Sequence, residues 1–435
     1  AVRLGWLFGF ASWITAIPWI APTLVTFGGL SPWLAWPLLL LLAAYLGSYG
    51  GLFAWLARPV WRLRSPVWAF VGLPAIWVAL EWVRAWMISG FPWNLAAYAW
   101  IETPGALETS AWIGAYGVSF VVLWTSVGLA MALARRRWQL AVWGLMGALT
   151  VLTIGDRLTD RVEPAYTGRP IQARVLQPNI ANLAEWDAER VSRNYARLLA
   201  QSHRACDRPG ALLVWPESAA WPLVLGRDPQ LDEDLAALND KGCTVLLNSV
   251  RRDGEATFNA AFLVTAGGTD WYAKRHLVPW GEYVPLRRLL PFVGTLARNA
   301  GDFTAGREAR LLLVADDRLG AAICFEVVFP AEVADTVAAG ATLLVSLTND
   351  DWYGPTAAPW QHLRAARFRA AETRRPLLRA AITGVSAIVA PDGSLVEMAG
   401  PGEEAILSSV VVGRGDLSPY CLLYTSDAAD EHRDV

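Results

Sequence analysis

The first 155 residues of the chain contain no lysine, aspartate or histidine, and their long apolar runs restrict the fold severely. A helix needs roughly 20 apolar residues to cross the hydrocarbon core of a bilayer. Five stretches qualify, at about 4–24, 33–57, 66–88, 110–134 and 138–155. Helices of a soluble protein show a polar face, and these stretches do not. The sequence therefore predicts a transmembrane helix bundle of about five spans over residues 1–155.

The arginines of this half predict its orientation, because short cytoplasmic loops are enriched in Lys and Arg. Arg58, Arg62 and Arg64 lie between the second and third spans, and a run of three arginines at 135–137 lies between the fourth and fifth. The other two loops carry no cation. With five spans, this pattern places Asp156 outside. We therefore expect a multi-pass protein whose second half lies on the outer face of the membrane.

Residues 156–420 have the composition of a globular domain. Strand-like runs cover 171–177, 211–215, 244–248 and 341–346, and helical spacing covers 185–205 and 359–372. Residues 258–265 and 384–397 are typical of paired strands, with turns at Gly267-Gly268 and Asp392-Gly393. Mixed sheets with helices packed outside them form a layered α/β body.

Charge and cysteine content exclude several classes of protein. The net charge is −2, and no basic stripe of the kind that binds nucleic acid is present. Cys206, Cys243, Cys324 and Cys421 are scattered without a CxxC pair, which argues against a disulfide framework and against a zinc site.

Three side chains with catalytic chemistry stand at the ends of strand-like runs. Glu217 follows the run 211–215, Lys274 follows 270–273, and Cys324 follows 319–323. Loops at strand ends commonly hold reactive groups on a rigid sheet. A thiol beside a cation, with a carboxylate to take its proton, becomes an activated nucleophile. We expect an ionised Cys324 sulfur. The alternative is a small buried hydrophobe, and the charge of nearby Glu326 argues against it.

Lys274 is also unusual for its residue type. The chain has only two lysines, Lys241 and Lys274, among 37 cationic Lys and Arg residues. A compact ammonium is not interchangeable with a planar guanidinium. The choice of lysine beside His276, in a chain that otherwise uses arginine, therefore indicates a site that suits a small point charge.

Long segments of the chain resemble one bacterial enzyme family. In the second half these are WPES, YAKRHLVPWGEYVP, ICFEVVFP and TNDDWYGPTAAPWQHLRAARFRAAETRRPLLRAAITGVSA. In the first half they are GWLFGFASWITAIPWI, EWVRAWMISGFPWN and WIGAYGVSF. They are similar to the apolipoprotein N-acyltransferases, which are nitrilase-superfamily enzymes fused to a membrane bundle. The resemblance covers nearly the whole chain, to about Tyr420.

The resemblance implies a nitrilase-like α-β-β-α sandwich and a role for each candidate residue. It assigns Glu217 as general base, Lys274 as the oxyanion-stabilising cation and Cys324 as nucleophile. Glu282 and Glu326 match two supporting acids of the family. No metal or cofactor is implied.

The same resemblance implies a reaction and a location. Cys324 would take an acyl chain from a membrane phospholipid as a thioester and pass it to the N-terminal amine of a diacylglyceryl-cysteine apolipoprotein. The implied location is the bacterial inner membrane, with the catalytic domain on the periplasmic face.

The chain departs from the family pattern in three respects. The family has about eight spans, so we expect an N-terminal truncation. The polar segment 421–435 replaces a final membrane helix, and Asp351 and Ile382 stand where the family shows a small residue and an asparagine. Two alternatives stay open: a membrane-anchored carbon–nitrogen hydrolase (an amidase that uses water), and an inactive lipoprotein-binding homologue.

Overall fold

A computed structural model describes residues 1–63, 65–180, 187–283 and 302–423. The chain forms two compact units. The first comprises residues 1–25 and 30–163, and the second comprises residues 26–29 and the chain from 164 onward.

The first unit is built of apolar helices. In chain order they are α1 (Val2–Ala16), α2 (Ile20–Thr26), α3 (Pro32–Arg62), α4 (Pro66–Arg84), α5 (Ala106–Arg135) and α6 (Gln139–Asp160). Among the described residues, α3 to α6 are each long and apolar enough to cross a membrane, and α1 with α2, bent by 51°, could form a fifth span. The prediction of a multi-span bundle is confirmed.

Glycines allow the helices of this bundle to approach each other closely. A Cβ on Gly5 of α1 would lie 2.5 Å from the Gly50 carbonyl oxygen of α3, and one on Gly144 of α6 would lie 2.5 Å from the Trp124 carbonyl oxygen of α5. Small residues at helix contacts are the usual means of packing in a bilayer, where no hydrophobic effect drives helices together.

The second unit contains two six-stranded sheets. The first has the strand order β12-β1-β2-β3-β4-β5. Its strands are β1 (Tyr166–Gln177), β2 (Ala211–Val214), β3 (Thr244–Asp253), β4 (Ala256–Thr265), β5 (Gly268–Ala273) and β12 (Ala405–Arg414). The second has the order β11-β10-β9-β8-β7-β6. Its strands are β6 (Leu312–Val314), β7 (Asp317–Ile323), β8 (Leu343–Thr348), β9 (Leu377–Ala381), β10 (Ser386–Val389) and β11 (Leu395–Ala399).

The core lies between the two sheets. Val175 and Val214 of the first sheet pack in one buried cluster with Leu319 and Val345 of the second. Helices α7 (Ala188–Ala205) and α8 (Pro229–Asp240) cover the other face of the first sheet, where Leu198 joins a second buried cluster. Helices α9 (Pro330–Ala338) and α10 (Ala358–Thr373) pack on the second sheet. These four layers confirm the predicted α-β-β-α sandwich.

A disulfide joins Cys206 and Cys243, whereas the scattered spacing of the cysteines predicted no disulfide framework. Cys206 caps α7, and Cys243 directly precedes β3. The intervening β2 pairs in parallel with β3, and the Gly210 amide donates to the Gly242 carbonyl at 2.8 Å. The βαβ path therefore brings together two cysteines that are 37 residues apart in sequence.

Some expectations fall on residues outside the described ranges. These are positions 185 and 186 of the predicted helix 185–205, and residues 424–435 of the polar segment 421–435. Within the described part, Cys421 is buried and its amide donates to the Ser418 hydroxyl at 3.1 Å.

Candidate active site

Cys324 occupies a sharp turn between β7 and a short 3₁₀ helix, Cys324–Val328. Its backbone φ is +53°, in the left-handed region that non-glycine residues rarely adopt. Such a conformation persists only where the surroundings enforce it, and it is common at functional sites. The side chain is 6 % exposed. The turn thus directs a buried thiol away from the sheet ladder.

Lys274 brings two carboxylates together. It follows β5, and its Nζ lies 2.9 Å from each carboxylate oxygen of Glu282 and 3.8 Å from Oε1 of Glu217. The lysine side chain is 1 % exposed. Burial lowers the pKa of Lys274, but the charges of Glu282 and Glu217 outweigh burial and raise it above its usual value. The site therefore holds a permanent buried cation.

Glu217 lies between this ammonium and the thiol. Burial raises the pKa of Glu217, and the Glu282 charge raises it further, whereas Lys274 and hydrogen bonds from Asn259 and the Cys324 thiol lower it. The net shift is upward. A base with a raised pKa is better matched to a thiol proton near neutral pH than an ordinary glutamate.

The surroundings of the Cys324 thiol favour its protonated form. Burial and the charge of Glu217 raise its pKa to about 12, although Lys274 opposes them. Burial therefore opposes the ionised sulfur that the sequence analysis predicts. Burial disfavours the thiolate more strongly than one lysine stabilises it, because that lysine also neutralises two carboxylates. The proton has to leave during the reaction, and Glu217 is within hydrogen-bonding reach to receive it.

Glu326 fixes the cysteine turn to the segment that follows Lys274. Its Oε2 accepts from the Ile323 amide at 2.6 Å, while its Oε1 accepts from the Tyr272 hydroxyl at 2.8 Å and from the Arg275 amide at 2.6 Å. The carboxylate is buried. One side chain thus ties the end of β7 in the second sheet to the end of β5 in the first.

The sequence analysis did not identify two asparagines that order the carboxylates. The Asn259 side chain on β4 donates from Nδ2 to Glu217 at 3.0 Å and to Glu282 at 2.7 Å. Asn248 on β3 donates to the Asn259 side-chain oxygen at 2.6 Å. The available signal was a pair of buried amides within otherwise apolar strands, since such groups need partners.

A second group that the sequence analysis did not identify lies behind Cys324. It consists of Asp350, His362 and Arg379, which are all buried. His362 Nε2 lies 3.0 Å from the Cys324 carbonyl oxygen. An arginine within the apolar run of β9 was the visible sign, because a buried guanidinium requires a charged partner.

The two positions that depart from the family pattern have ordinary local contacts. Asp351 accepts a hydrogen bond from the Thr383 hydroxyl at 3.2 Å. Ile382 is buried in the apolar cluster under α7 and α8. In the part of the chain that the structure describes, no group of three or more His, Cys, Asp and Glu side chains is arranged to hold a metal ion.

This arrangement can perform acyl chemistry. It combines a nucleophile, a base that can accept the nucleophile's proton, and a fixed cation beside both. A preorganised cation in a water-poor site stabilises negative charge that develops on a carbonyl oxygen. Covalent capture of an acyl group by the thiol is the reaction to which these three groups are suited.

Comparison with known proteins gives matches for both units. Residues 1–128 match the family model described as the apolipoprotein N-acyltransferase N-terminal domain, and residues 172–415 match the carbon-nitrogen hydrolase model. The chain is 34 % identical over 431 residues to the apolipoprotein N-acyltransferase of Geobacter metallireducens, covering 96 % of this chain and 82 % of that protein. It is 31 % identical to the enzyme of the same name from Rhodopseudomonas palustris, covering 94 % and 80 % respectively.

Solved structures with similarity include Saccharomyces cerevisiae Nit3, a member of branch 10 of the nitrilase superfamily. It matches with 17 % identity and a TM-score of 0.44, over 60 % of this chain and 95 % of that one. An amidase from a Nesterenkonia species matches with 20 % identity and a TM-score of 0.43, over 63 % of this chain and 97 % of that one.

Proposed function

This chain belongs to the apolipoprotein N-acyltransferase family and is an acyltransferase, and from that premise we propose how its residues perform the transfer. An acyl chain passes from a membrane phospholipid to a thioester on Cys324, and then to the N-terminal amine of a diacylglyceryl-cysteine apolipoprotein. One observation carries the proposal: the Cys324 thiol, the Glu217 carboxylate and the Lys274 ammonium lie in one buried cluster.

In the first half-reaction, Glu217 removes the thiol proton as the sulfur attacks the ester carbonyl of the phospholipid. The Lys274 ammonium stabilises the resulting oxyanion. The intermediate then collapses, the ester C–O bond breaks, and Glu217 returns its proton to the departing lysophospholipid oxygen. The acyl group remains on Cys324 as a thioester.

In the second half-reaction, the amine of the apolipoprotein attacks the thioester carbonyl. Glu217 takes a proton from that amine, and the C–S bond breaks to release the amide product. The proton on Glu217 then returns to the Cys324 sulfur. Each half-reaction uses the same base twice, so one carboxylate suffices for both acyl transfers.

Glu282 and Glu326 support this chemistry without direct transfer of the acyl group. Glu282 holds the lysine ammonium through both of its oxygens, and Glu326 holds the turn that carries the thiol. Because both carboxylates are anchored by backbone amides as well, they maintain the distance between cation and nucleophile.

The protein is a membrane protein, and we place its α/β unit on the periplasmic side of the inner membrane. Two observations support this side. Two groups of arginines lie at the same side of the predicted spans, as in cytoplasmic loops: Arg58 and Arg62 near the end of α3, and the run 135–137 from the end of α5 toward α6. The Cys206–Cys243 disulfide is typical of an oxidising compartment.

Acyl-adduct formation tests the proposal directly. The full-length protein, reconstituted with phospholipid, should gain the mass of one acyl chain on Cys324, and a diacylglyceryl lipopeptide should discharge it. Cys324→Ala should form no adduct and no N-acylated lipopeptide, whereas Cys421→Ala, which removes the other free thiol, should behave like the parent. N-acylation that persists in Cys324→Ala would overturn the assigned nucleophile.

The same preparation separates the alternatives. An amidase would release ammonia from small amides and would transfer no acyl group to the lipopeptide. An inactive homologue would form no acyl adduct with phospholipid or with a small amide. Limited proteolysis from the outer face of spheroplasts tests the sidedness: cleavage beyond Asp156 is expected, and complete protection would refute it.

A further inference from the structure

Three buried polar side chains behind Cys324 form a connected row across neighbouring elements. His362 belongs to α10, Asp350 follows β8, and Arg379 lies within β9. His362 Nδ1 lies 3.1 Å from Arg379 Nη2 and 3.1 Å from Asp350 Oδ1, and Arg379 Nη2 donates to Asp350 Oδ2 at 2.7 Å. His362 Nε2 reaches the Cys324 main-chain oxygen at 3.0 Å. The proposed function uses none of these three side chains.

The partner of Nε2 defines one hydrogen of the imidazole. A carbonyl oxygen only accepts, so His362 Nε2 carries a hydrogen and donates to Cys324. His362 Nδ1 lies at 3.1 Å from Arg379 Nη2, which only donates, and at 3.1 Å from Asp350 Oδ1, which as a carboxylate only accepts. The hydrogen on Nε2 is required whichever of these two neighbours Nδ1 serves.

The charges around the imidazole act on it in opposite directions. Burial lowers the pKa of His362, and the Arg379 charge lowers it further, whereas Asp350 raises it. Burial would raise the pKa of Asp350, but Arg379 and the hydrogen bond with His362 outweigh it, and the result is about 2. Tyr353 faces the ring edge-on, with its centroid 6.3 Å away. The ion pair of Asp350 and Arg379 thus stays charged beside the imidazole.

We propose that His362 is a positioning residue for the nucleophile, because its Nε2–H holds the Cys324 carbonyl and keeps this residue in its left-handed conformation. Glu326 holds the amide of Ile323, on the other side of the turn. The turn is therefore anchored by an acceptor before Cys324 and by a donor behind it. The proposal rests on the proposed function only in treating Cys324 as the nucleophile.

Two substitutions test whether the Nε2–H donor of His362 matters more than the other contacts of the imidazole ring. His362→Gln places an amide N–H near the position of Nε2 and can reach the Cys324 carbonyl. His362→Asn places its amide near Nδ1, where it can meet Asp350 and Arg379 but cannot reach that carbonyl. Two measurements compare both variants with the parent. The first is the rate at which iodoacetamide alkylates Cys324, with the alkylated site identified from the peptide mass. The second is kcat and KM for phospholipid.

We expect His362→Asn to lower the alkylation rate and kcat by about tenfold or more with little change in KM, because a small misplacement of a reacting group costs that much. His362→Gln should restore both to within about threefold of the parent. Equal losses in the two variants, or no loss in either, would overturn the proposal. Alkylation needs no acyl donor, so its outcome stands even if no acyl adduct forms and the proposed function fails.

A spectroscopic measurement on the unsubstituted protein does not depend on how the variants fold. The chain has four histidines, so imidazole-¹⁵N labelling gives few signals, and single His→Gln variants at the other three positions assign them by elimination. His362 should show a protonated Nε2 at every pH between about 6 and 8. An unprotonated Nε2 within that range would refute the donor role.

Discussion

Glu217→Gln removes the group that we assign to proton transfer while keeping the shape of the side chain. In the parent, the Asn259 side chain donates to one carboxylate oxygen of Glu217 at 3.0 Å, and the backbone N–H of Asn349 donates to the other at 3.1 Å. The glutamine keeps one acceptor and cannot take the thiol proton. The expected result is a folded protein in which acylation of Cys324 is slow at neutral pH.

The size of the effect depends on how much a base must assist the thiol. Burial and the charge of Glu217 raise the pKa of Cys324 to about 12, so little of the thiol is ionised near pH 7 without a base. General-base catalysis typically contributes about 10²–10⁴-fold. We therefore expect the rate of acyl-adduct formation near neutral pH to fall by about 10³-fold in Glu217→Gln.

The pH dependence distinguishes loss of a base from loss of a charge. The pKa of Glu217 is raised, so in the parent the adduct rate should fall as pH falls through a value above the usual range of a glutamate. In Glu217→Gln this acidic limb should disappear, and the rate should rise steadily toward high pH as the thiol itself ionises. Rapid-quench mass spectrometry of the intact protein between pH 5 and about 10 measures both profiles.

Glu282→Gln is the matched control. It removes the same charge beside the same Lys274 and Asn259 side chains. The acidic limb should persist in this variant and move to lower pH, because the charge of Glu282 contributes to the raised pKa of Glu217. An acidic limb that survives in Glu217→Gln, or a parent thiol that titrates near pH 8, would refute the reasoning.

Three further perturbations test other parts of the α/β unit. Lys274→Arg should lower kcat by about 10²-fold or more, because a planar guanidinium cannot replace an ammonium that is 1 % exposed between two carboxylates. Steady-state kinetics of acyl transfer measures this kcat. Glu326→Gln should destabilise the unit by about 1–3 kcal/mol, because an amide cannot accept from every N–H that the carboxylate serves, including that of Ile323; urea unfolding checks this. The double variant Cys206→Ser/Cys243→Ser should lose about 4 kcal/mol, from the entropy of a loop with a separation of 37 residues, and an unchanged unfolding midpoint would contradict it.

The expectations from local pattern were accurate where burial along one element decides the structure. Four of the five predicted spans correspond to α3, α4, α5 and α6, and the first corresponds to the bent pair of α1 and α2 if that pair counts as one span. The run 171–177 lies within β1, and 258–265 lies within β4. The segment 384–397 divides into β10 and β11, with the turn at Asp392-Gly393 between them. Such patterns are readable because apolar spacing reports directly which face of a helix or strand is buried.

Contacts between residues that are distant in the sequence could not be predicted from local patterns. The Cys206–Cys243 bond, the Asn259 bridge between two glutamates and the contact of His362 with the Cys324 carbonyl each join different elements. A hydrogen bond or disulfide depends on the position of two atoms in space, and nothing in the local spacing of a cysteine or an asparagine specifies its partner.

The sequence by itself determined that residues 1–155 suit a bilayer, that residues 156–420 form layered sheets, and that a carboxylate, an amine and a thiol stand at strand ends. Only the tertiary structure showed which neighbours act on the pKa of the thiol. A cation near a cysteine suggests a thiolate, but burial among Glu217, Lys274 and the sheet core disfavours that charge. Desolvation and partner geometry are properties of the packed site, and they appear only when all the elements are in place.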